Sequence, residues 1–245
     1  MRLVAAIALA LVFSAPGTAA AQVVDELSRR QALERYRTGQ ELLAAERYEQ
    51  AAAEFTAAIE LDPLLTLAHY GLGQAYMGLK RYPSAVQAFV GCRDAYGRLA
   101  TLRQNDMIAA DRLLDEEMRE LRDSLTRVRS GQIKNAGPAM EQQLEKRLEE
   151  LETMRRGRGE RLYTPAEVSL ALGSAYYRNN QPADAEREWV AAVSVNSRLG
   201  EAHNNLAALY LMTGRKKEAE DAVKAAERAR FRVHPQLKED IRKMK

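Results

Sequence analysis

The chain has 245 residues, 46% of them hydrophobic and 29% charged, a balance that excludes both a disordered chain and a multi-span membrane protein. Its 37 Lys and Arg against 34 Asp and Glu leave a net charge of only +3, too weak a field to draw the whole molecule onto nucleic acid or anionic lipid. One cysteine (Cys92) and three histidines (His69, His203 and His234) exclude a disulfide framework and a multi-Cys or His-rich metal site, so neither a metal nor a cofactor is expected.

Met1-Arg2 is a short positive start, and Leu3 to Phe13 is an apolar run of signal-core length, well under the ~20 residues that span a bilayer. Pro16-Gly17 breaks the run, and Ala19-Ala20-Ala21 supplies small residues where a signal peptidase reads. Residues 1–21 are therefore expected to be a signal peptide, cleaved after Ala21 or Ala20; an uncleaved N-terminal anchor is the other reading. No Cys lies near the site, which closes the lipoprotein route, and no later apolar stretch has membrane length. The mature chain is expected to be exported and soluble, with no integral membrane span. An Ala- and Arg-rich exported chain reads as bacterial, which places it in the periplasm.

From Ala32 to Leu99 the sequence repeats itself: Gly39 recurs as Gly73, Ala51 as Ala85 and Phe55 as Phe89, each 34 residues on. Leu172 and Leu206, Tyr176 and Tyr210, and Ala185 and Ala219 show the same period, with Gly173 matched by Ala207. Small residues fall where a close second helix leaves no room for a side chain. Large ones (Phe55, Phe89, Trp189, Val223) follow four positions after Ala51, Ala85, Ala185 and Ala219, on the same helix face. Such a period marks a stacked helix-turn-helix array.

At these residues the chain resembles the tetratricopeptide repeat (TPR) family. Repeat one (32–65) carries Gly39, Ala51, Phe55, Ala58 and a closing Leu61-Asp62-Pro63. Repeat two (66–99) carries Leu72-Gly73, Tyr76, Ala85, Phe89 and Cys92. Repeat three (166–199) carries Leu172-Gly173, Tyr176, Ala185, Trp189 and Ala192, and repeat four (200–233) Leu206-Ala207, Tyr210, Gly214, Ala219 and Ala226. The closing Pro is missing after repeats two to four, and Leu42 stands where repeat one would have an aromatic. The resemblance implies an all-α superhelix of helix-turn-helix repeats, here as an N-terminal pair (22–99) and a C-terminal pair (166–233).

Between the pairs, residues 100–165 do not keep the repeat register. Leu114, Met118, Leu121, Leu125 and Val128 are spaced 4, 3, 4 and 3, an apolar seam on one helix face. Ser130-Gly131 and Asn135-Ala136-Gly137-Pro138 break it, and Met140, Leu144, Leu148 and Leu151 form a second stripe. The pattern predicts an antiparallel hairpin of two long charged helices, their seams packed on each other. A homodimer through residues 107–151 is the other way to cover those seams. Arg155-Arg156-Gly157-Arg158-Gly159 reads as a basic linker, and no aromatics interleave the Arg cluster 155–161 for base stacking. Pro235 then opens a short amphipathic helix (234–245, with Leu237 and Ile241) suited to cap the array.

Gly71-Leu72-Gly73 has no preceding strand and no third Gly, so the repeat register accounts for it better than a dinucleotide loop does. His69 and His203 hold equivalent repeat positions and read as packing residues, and Cys92 as a buried, inert thiol. No nucleophile, phosphate loop or carboxylate pair stands out, and no enzymatic activity is expected.

What the resemblance adds is a concave groove, lined by first helices, that binds protein or peptide segments. At its lining positions stand Tyr36, Arg37, Gln40 and Leu43, then Tyr70, Gln74 and Met77, then Ser174, Tyr177 and Arg178, then Asn204, Asn205 and Leu211. Tyr36/Tyr70 and Gln40/Gln74 would make a ladder of stacking and amide groups able to hold a peptide backbone; as plain helix-surface residues they would only pack or meet solvent. The Lys positions of the family's carboxylate clamp hold Tyr36 and Glu201. The expected function is an exported scaffold or adaptor for a protein partner in an envelope complex, the alternative a periplasmic chaperone-like binder of unfolded segments. On this reading, sequencing the mature protein from its native host finds a first residue of Gln22 or Ala21; an intact Met1 on membrane-bound protein refutes it.

Overall fold

A computed structural model describes residues 26–156 and 163–244, and among them every regular element is an α-helix. The expected signal peptide, and most of the basic linker, lie outside the described residues. The helices are α1 (Glu26–Ala44), α2 (Tyr48–Leu61), α3 (Thr66–Gly78), α4 (Tyr82–Asn105), α5 (Met107–Arg129), α6 (Pro138–Arg156), α7 (Ala166–Arg178), α8 (Pro182–Val195), α9 (Gly200–Met212), α10 (Lys216–Arg228) and α11 (Pro235–Lys243). The repeats are α1–α2, α3–α4, α7–α8 and α9–α10, the hairpin is α5–α6, and α11 packs on the last repeat through buried Ile241.

The turn inside each repeat is built the same way. Glu46, Lys80, Asn180 and Gly214, each at the same repeat position, adopt left-handed φ values of 57°, 57°, 60° and 76°. The next backbone N–H then reaches back to the last turn of the first helix: Arg47 to Leu42 at 2.8 Å, Arg81 to Tyr76 at 2.9 Å, Gln181 to Tyr176 at 2.9 Å and Arg215 to Tyr210 at 2.8 Å. These bonds satisfy carbonyls that a helix end otherwise leaves without partners. After repeat three, where no closing Pro stands, the turn keeps the same side-chain bond as after repeat one. Asn196 Oδ1 accepts the Arg198 N–H at 3.0 Å, as Asp62 Oδ1 accepts that of Leu64 at 2.9 Å beside Pro63.

Within the first three repeats the helices meet at a glycine beneath an aromatic ring. A Cβ on Gly39 would lie 2.7 Å from the Phe55 ring, one on Gly73 2.5 Å from Phe89, and one on Gly173 2.6 Å from Trp189. Gly71 touches the other side of Phe55, where a Cβ would stand at 2.6 Å, so packing alone accounts for Gly71-Leu72-Gly73. The alanines opposite (Ala51, Ala85, Ala185 and Ala219) are fully buried. Tyr76, Tyr176 and Tyr210 pack along the same cores. His69 and His203 both reach back across the preceding turn, to the carbonyls of Pro63 and Ser197.

Two features were not legible in the sequence. The array is continuous: α7 stacks directly on α4, with Ala85, Val86 and Phe89 against Leu172 and Ala175, and Arg93 Nη1 donates to Glu188 Oε1 at 2.8 Å across the joint. The hairpin therefore leaves the superhelix after an extended α4 and returns to it without interrupting the stack. Its seams are also not closed on each other alone. Leu114, Met118, Leu121, Leu125, Leu144 and Leu151 belong to one core with Ala32, Tyr36, Leu64, Leu67 and Ala68 of the first two repeats.

Gly73→Leu tests the close approach. Helix propensity alone would favour the substitution by about 1 kcal/mol, whereas driving a side chain into the Phe89 ring costs about 1–3 kcal/mol or more. The denaturant midpoint is expected to fall; a rise would refute the packing account.

Candidate functional site

The first helices share one face of the array, and the hairpin covers its N-terminal half. Thr66, the first residue of α3, is the hub of that contact. Its N–H donates to Glu117 Oε1 at 3.1 Å and its hydroxyl to Glu117 Oε2 at 2.9 Å. Arg147 Nη2 donates to Thr66 Oγ1 at 2.8 Å and to Tyr96 OH at 3.1 Å. The Arg147 guanidinium also lies over the Tyr70 ring, 4.8 Å from its centroid. Burial pushes the Glu117 carboxyl above the usual carboxylate range, with Arg147 and Arg29 opposing, and pushes the nearby Cys92 thiol up to about 11. Cys92 is fully buried, its Sγ 3.4 Å from the Thr66 carbonyl, an unreactive setting.

Further charges tie α1 to α5. Arg29 pairs with Asp62 and Glu116 and donates to the Leu113 carbonyl at 3.2 Å. Arg37 makes a forked contact with buried Glu120, Nε to Oε1 at 2.9 Å and Nη2 to Oε2 at 2.6 Å. Arg127 pairs with Glu41.

The groove residues named from sequence thus have two fates. Tyr36 and Gln40, each 4% exposed, lie under the hairpin: Gln40 Nε2 donates to Tyr36 OH at 2.5 Å and its Oε1 accepts from Ser124 at 2.9 Å. Gln74 donates to Gln143 of α6 at 2.8 Å, Arg37 holds Glu120, Tyr70 faces Arg147, and Met77 packs into the α4–α7 joint. The expected Tyr/Gln ladder exists, but its hydrogen bonds and rings are engaged by the chain's own insertion. On the C-terminal half the side chains meet solvent. Tyr177 is 37% and Met212 68% exposed, the Tyr177 hydroxyl lies 3.0 Å from the Met212 sulfur, and its ring packs on Trp189 at 5.7 Å between centroids, tilted by 41°. Arg178 is exposed, and Asn204 and Asn205 are half-buried.

Sequence reasoning missed Thr66, Glu117, Glu120 and Arg147. A signal existed for two of them. Glu117 stands three residues after Leu114 and four before Leu121, and Arg147 stands likewise between Leu144 and Leu151, so both charges sit on the apolar stripes. Such a charge needs a partner from a third element.

Beyond the covered half, a cavity of about 600 Å³ separates α6 from the starts of α7 and α9, lined by Lys146, Glu150, Glu167, Arg198 and Glu201 among others. Burial, and then Glu167, raise the Glu150 carboxyl to about 7, with Arg147 and Lys146 opposing. Among the described residues no cluster of His, Cys, Asp and Glu could hold a metal ion, and no helix is long and apolar enough to cross a membrane.

The family model described as "Tetratricopeptide repeat" matches residues 36–91 and 170–231, and both segments are tetratricopeptide repeats. No curated protein matches the chain. Among solved structures, similarity is found to the anaphase-promoting complex hetero-tetramer Cut9-Hcn1, at 13% identity and a TM-score of 0.30, covering 87% of this chain and 42% of that one. It is found also to a thermophilic TPR protein of Thermus thermophilus, at 20% identity and a TM-score of 0.30, covering 86% of this chain and 97% of that one. The chain thus spans less than half the length of the first of these.

Glu150 generates a pH test. Between pH 4.5, the ordinary glutamate value, and about 7, the folded protein holds a proton that the unfolded chain has released, so unfolding free energy falls as pH rises. Glu150→Gln removes this loss. By calorimetry the variant's Tm is expected to approach the wild-type value near the acid end and to exceed it above about pH 7; a gap independent of pH overturns the assignment.

Proposed function

We propose that this chain of tetratricopeptide repeats is an exported, non-enzymatic adaptor that offers the α7–α9 half of its first-helix face to a segment of a protein partner in the cell envelope. The observation that carries the reading is the contrast between the two halves of that face. One half already holds an amphipathic helix, α6, by the mode in which apolar side chains enter a groove and polar groups fix their register. The other presents Tyr177 and Met212 uncovered, with Arg178, Asn204 and Asn205 beside them. An aromatic and a thioether offer contact area that adapts to a partner at low entropic cost, and Asn amides can pair with an extended backbone. Export rests on residues 1–21. Leu114 and Leu121 are buried inside the chain, so a homodimer through residues 107–151 would not use them.

A photo-crosslinking residue at Met212, compared with one at Val190 on exposed α8, tests this in the native host. Position 212 is expected to give one or two discrete products and position 190 none. Tyr177→Ala is expected to weaken partner affinity by about tenfold or more, the scale of an interface hot spot, with helical content unchanged. A broad ladder of products at 212 would favour the chaperone-like reading, and no product there overturns both.

A further inference from the structure

Where the hairpin bridges the first two repeats it does not fill the face completely. A cavity of about 370 Å³ remains among α1, α3, α5 and α6, walled by Leu43, Leu67, Leu121, Met140 and Leu144, with Arg147 in its lining. That size falls at the lower end of the ~300–1,000 Å³ typical of small-molecule sites, which are likewise mostly apolar with a few placed polar groups. Exposed Ala139 and Gln143 mark where it meets solvent.

Arg147 is the polar group. It is 5% exposed, and its Nη2 donates to two neutral hydroxyls, those of Thr66 and Tyr96. Its Nε is buried without a hydrogen-bond partner. Arg29, the other buried arginine, has the carboxylates of Asp62 and Glu116 against it; among the described residues no ion pair of this kind holds Arg147. Glu117 reaches the same hub, but through Thr66. A buried guanidinium with an unused N–H and no carboxylate in contact is costly to hold unless something charged and accepting completes it.

We propose that this cavity binds a small amphipathic carboxylate, its carboxylate set against the Arg147 guanidinium and its aliphatic or aromatic body lying among Leu43, Leu67 and Met140. A carboxylate fits better than a phosphate ester, because a single buried guanidinium in an apolar chamber offsets one negative charge and not two. The site is independent of the partner face on α7 and α9, and its recognition group comes from the inserted helix.

The full chain is titrated by calorimetry and thermal shift with octanoate and 4-phenylbutyrate, against octanol and octylamine as probes of matched size. Both carboxylates are expected to bind and raise Tm, octanol to bind about tenfold or more weakly, and octylamine not to bind. The Arg147 Nε–H resonance is expected to move during the octanoate titration. Ala139→Trp, at the exposed rim, is expected to keep the wild-type Tm and lower octanoate affinity about tenfold. Octanol binding as tightly as octanoate, an unmoved Nε–H signal, undiminished binding by Ala139→Trp, or no binding of either carboxylate would each overturn the proposal.

Discussion

The start of α3 is the constraint on which the rest of the arrangement depends. A helix leaves its first N–H groups without partners, and Leu65, at the cap position of α3, has no side chain to satisfy them. The cap comes from elsewhere in the chain: Glu117, some fifty residues on in α5, places its carboxylate at the end of α3 where the N–H groups and the helix dipole favour negative charge. The Thr66 hydroxyl then links Glu117 to Arg147 of α6 and to Tyr96 of α4. Four helices thus share one buried polar point. Pulling the hairpin away would strip the end of α3 of its carboxylate and break the bonds of Arg147 to Thr66 and Tyr96.

The affinity of the hairpin for the repeats has a different source. Leu114, Leu121 and Leu151 are fully or almost fully buried, and full burial of such a side chain is worth about 1.5–3 kcal/mol. The exposed pairs along the hairpin, such as Arg122 with Glu152 at 2.8 Å, contribute about 0–1 kcal/mol each. Apolar burial therefore dominates the stability of docking. The buried charges act on register: a slip of one residue would leave Glu117, Glu120 and Arg147 without partners, and a buried charged group left unsatisfied costs more than the ~1–3 kcal/mol of a neutral one.

This division of labour shapes what the molecule offers to others. The repeats supply a rigid face through the contacts of Gly39, Gly73 and Gly173 with aromatic rings, and the insertion converts half of it from surface into core. Tyr36 and Tyr70, which look like binding residues when only the repeat register is considered, become walls of a closed contact. The C-terminal half keeps the same scaffold without an occupant over Tyr177 and Met212.

The repeat architecture was readable from the sequence because it rests on neighbours. The contact of Gly73 with Phe89, the turn at Lys80 and the stacking of adjacent repeats all arise within a few tens of residues, and a 34-residue period records them at every turn. The hairpin was readable as two amphipathic helices for the same local reason. Where it goes was not, since an apolar stripe declares that a face must be buried but not against what. Glu117 and Arg147 interrupt the stripes of Leu114–Leu121 and Leu144–Leu151, and only the folded chain brings Thr66, Tyr96 and Tyr70 to meet them. That meeting joins residues fifty to eighty positions apart, and no local period can encode it, because its free energy exists only once all the elements are in place.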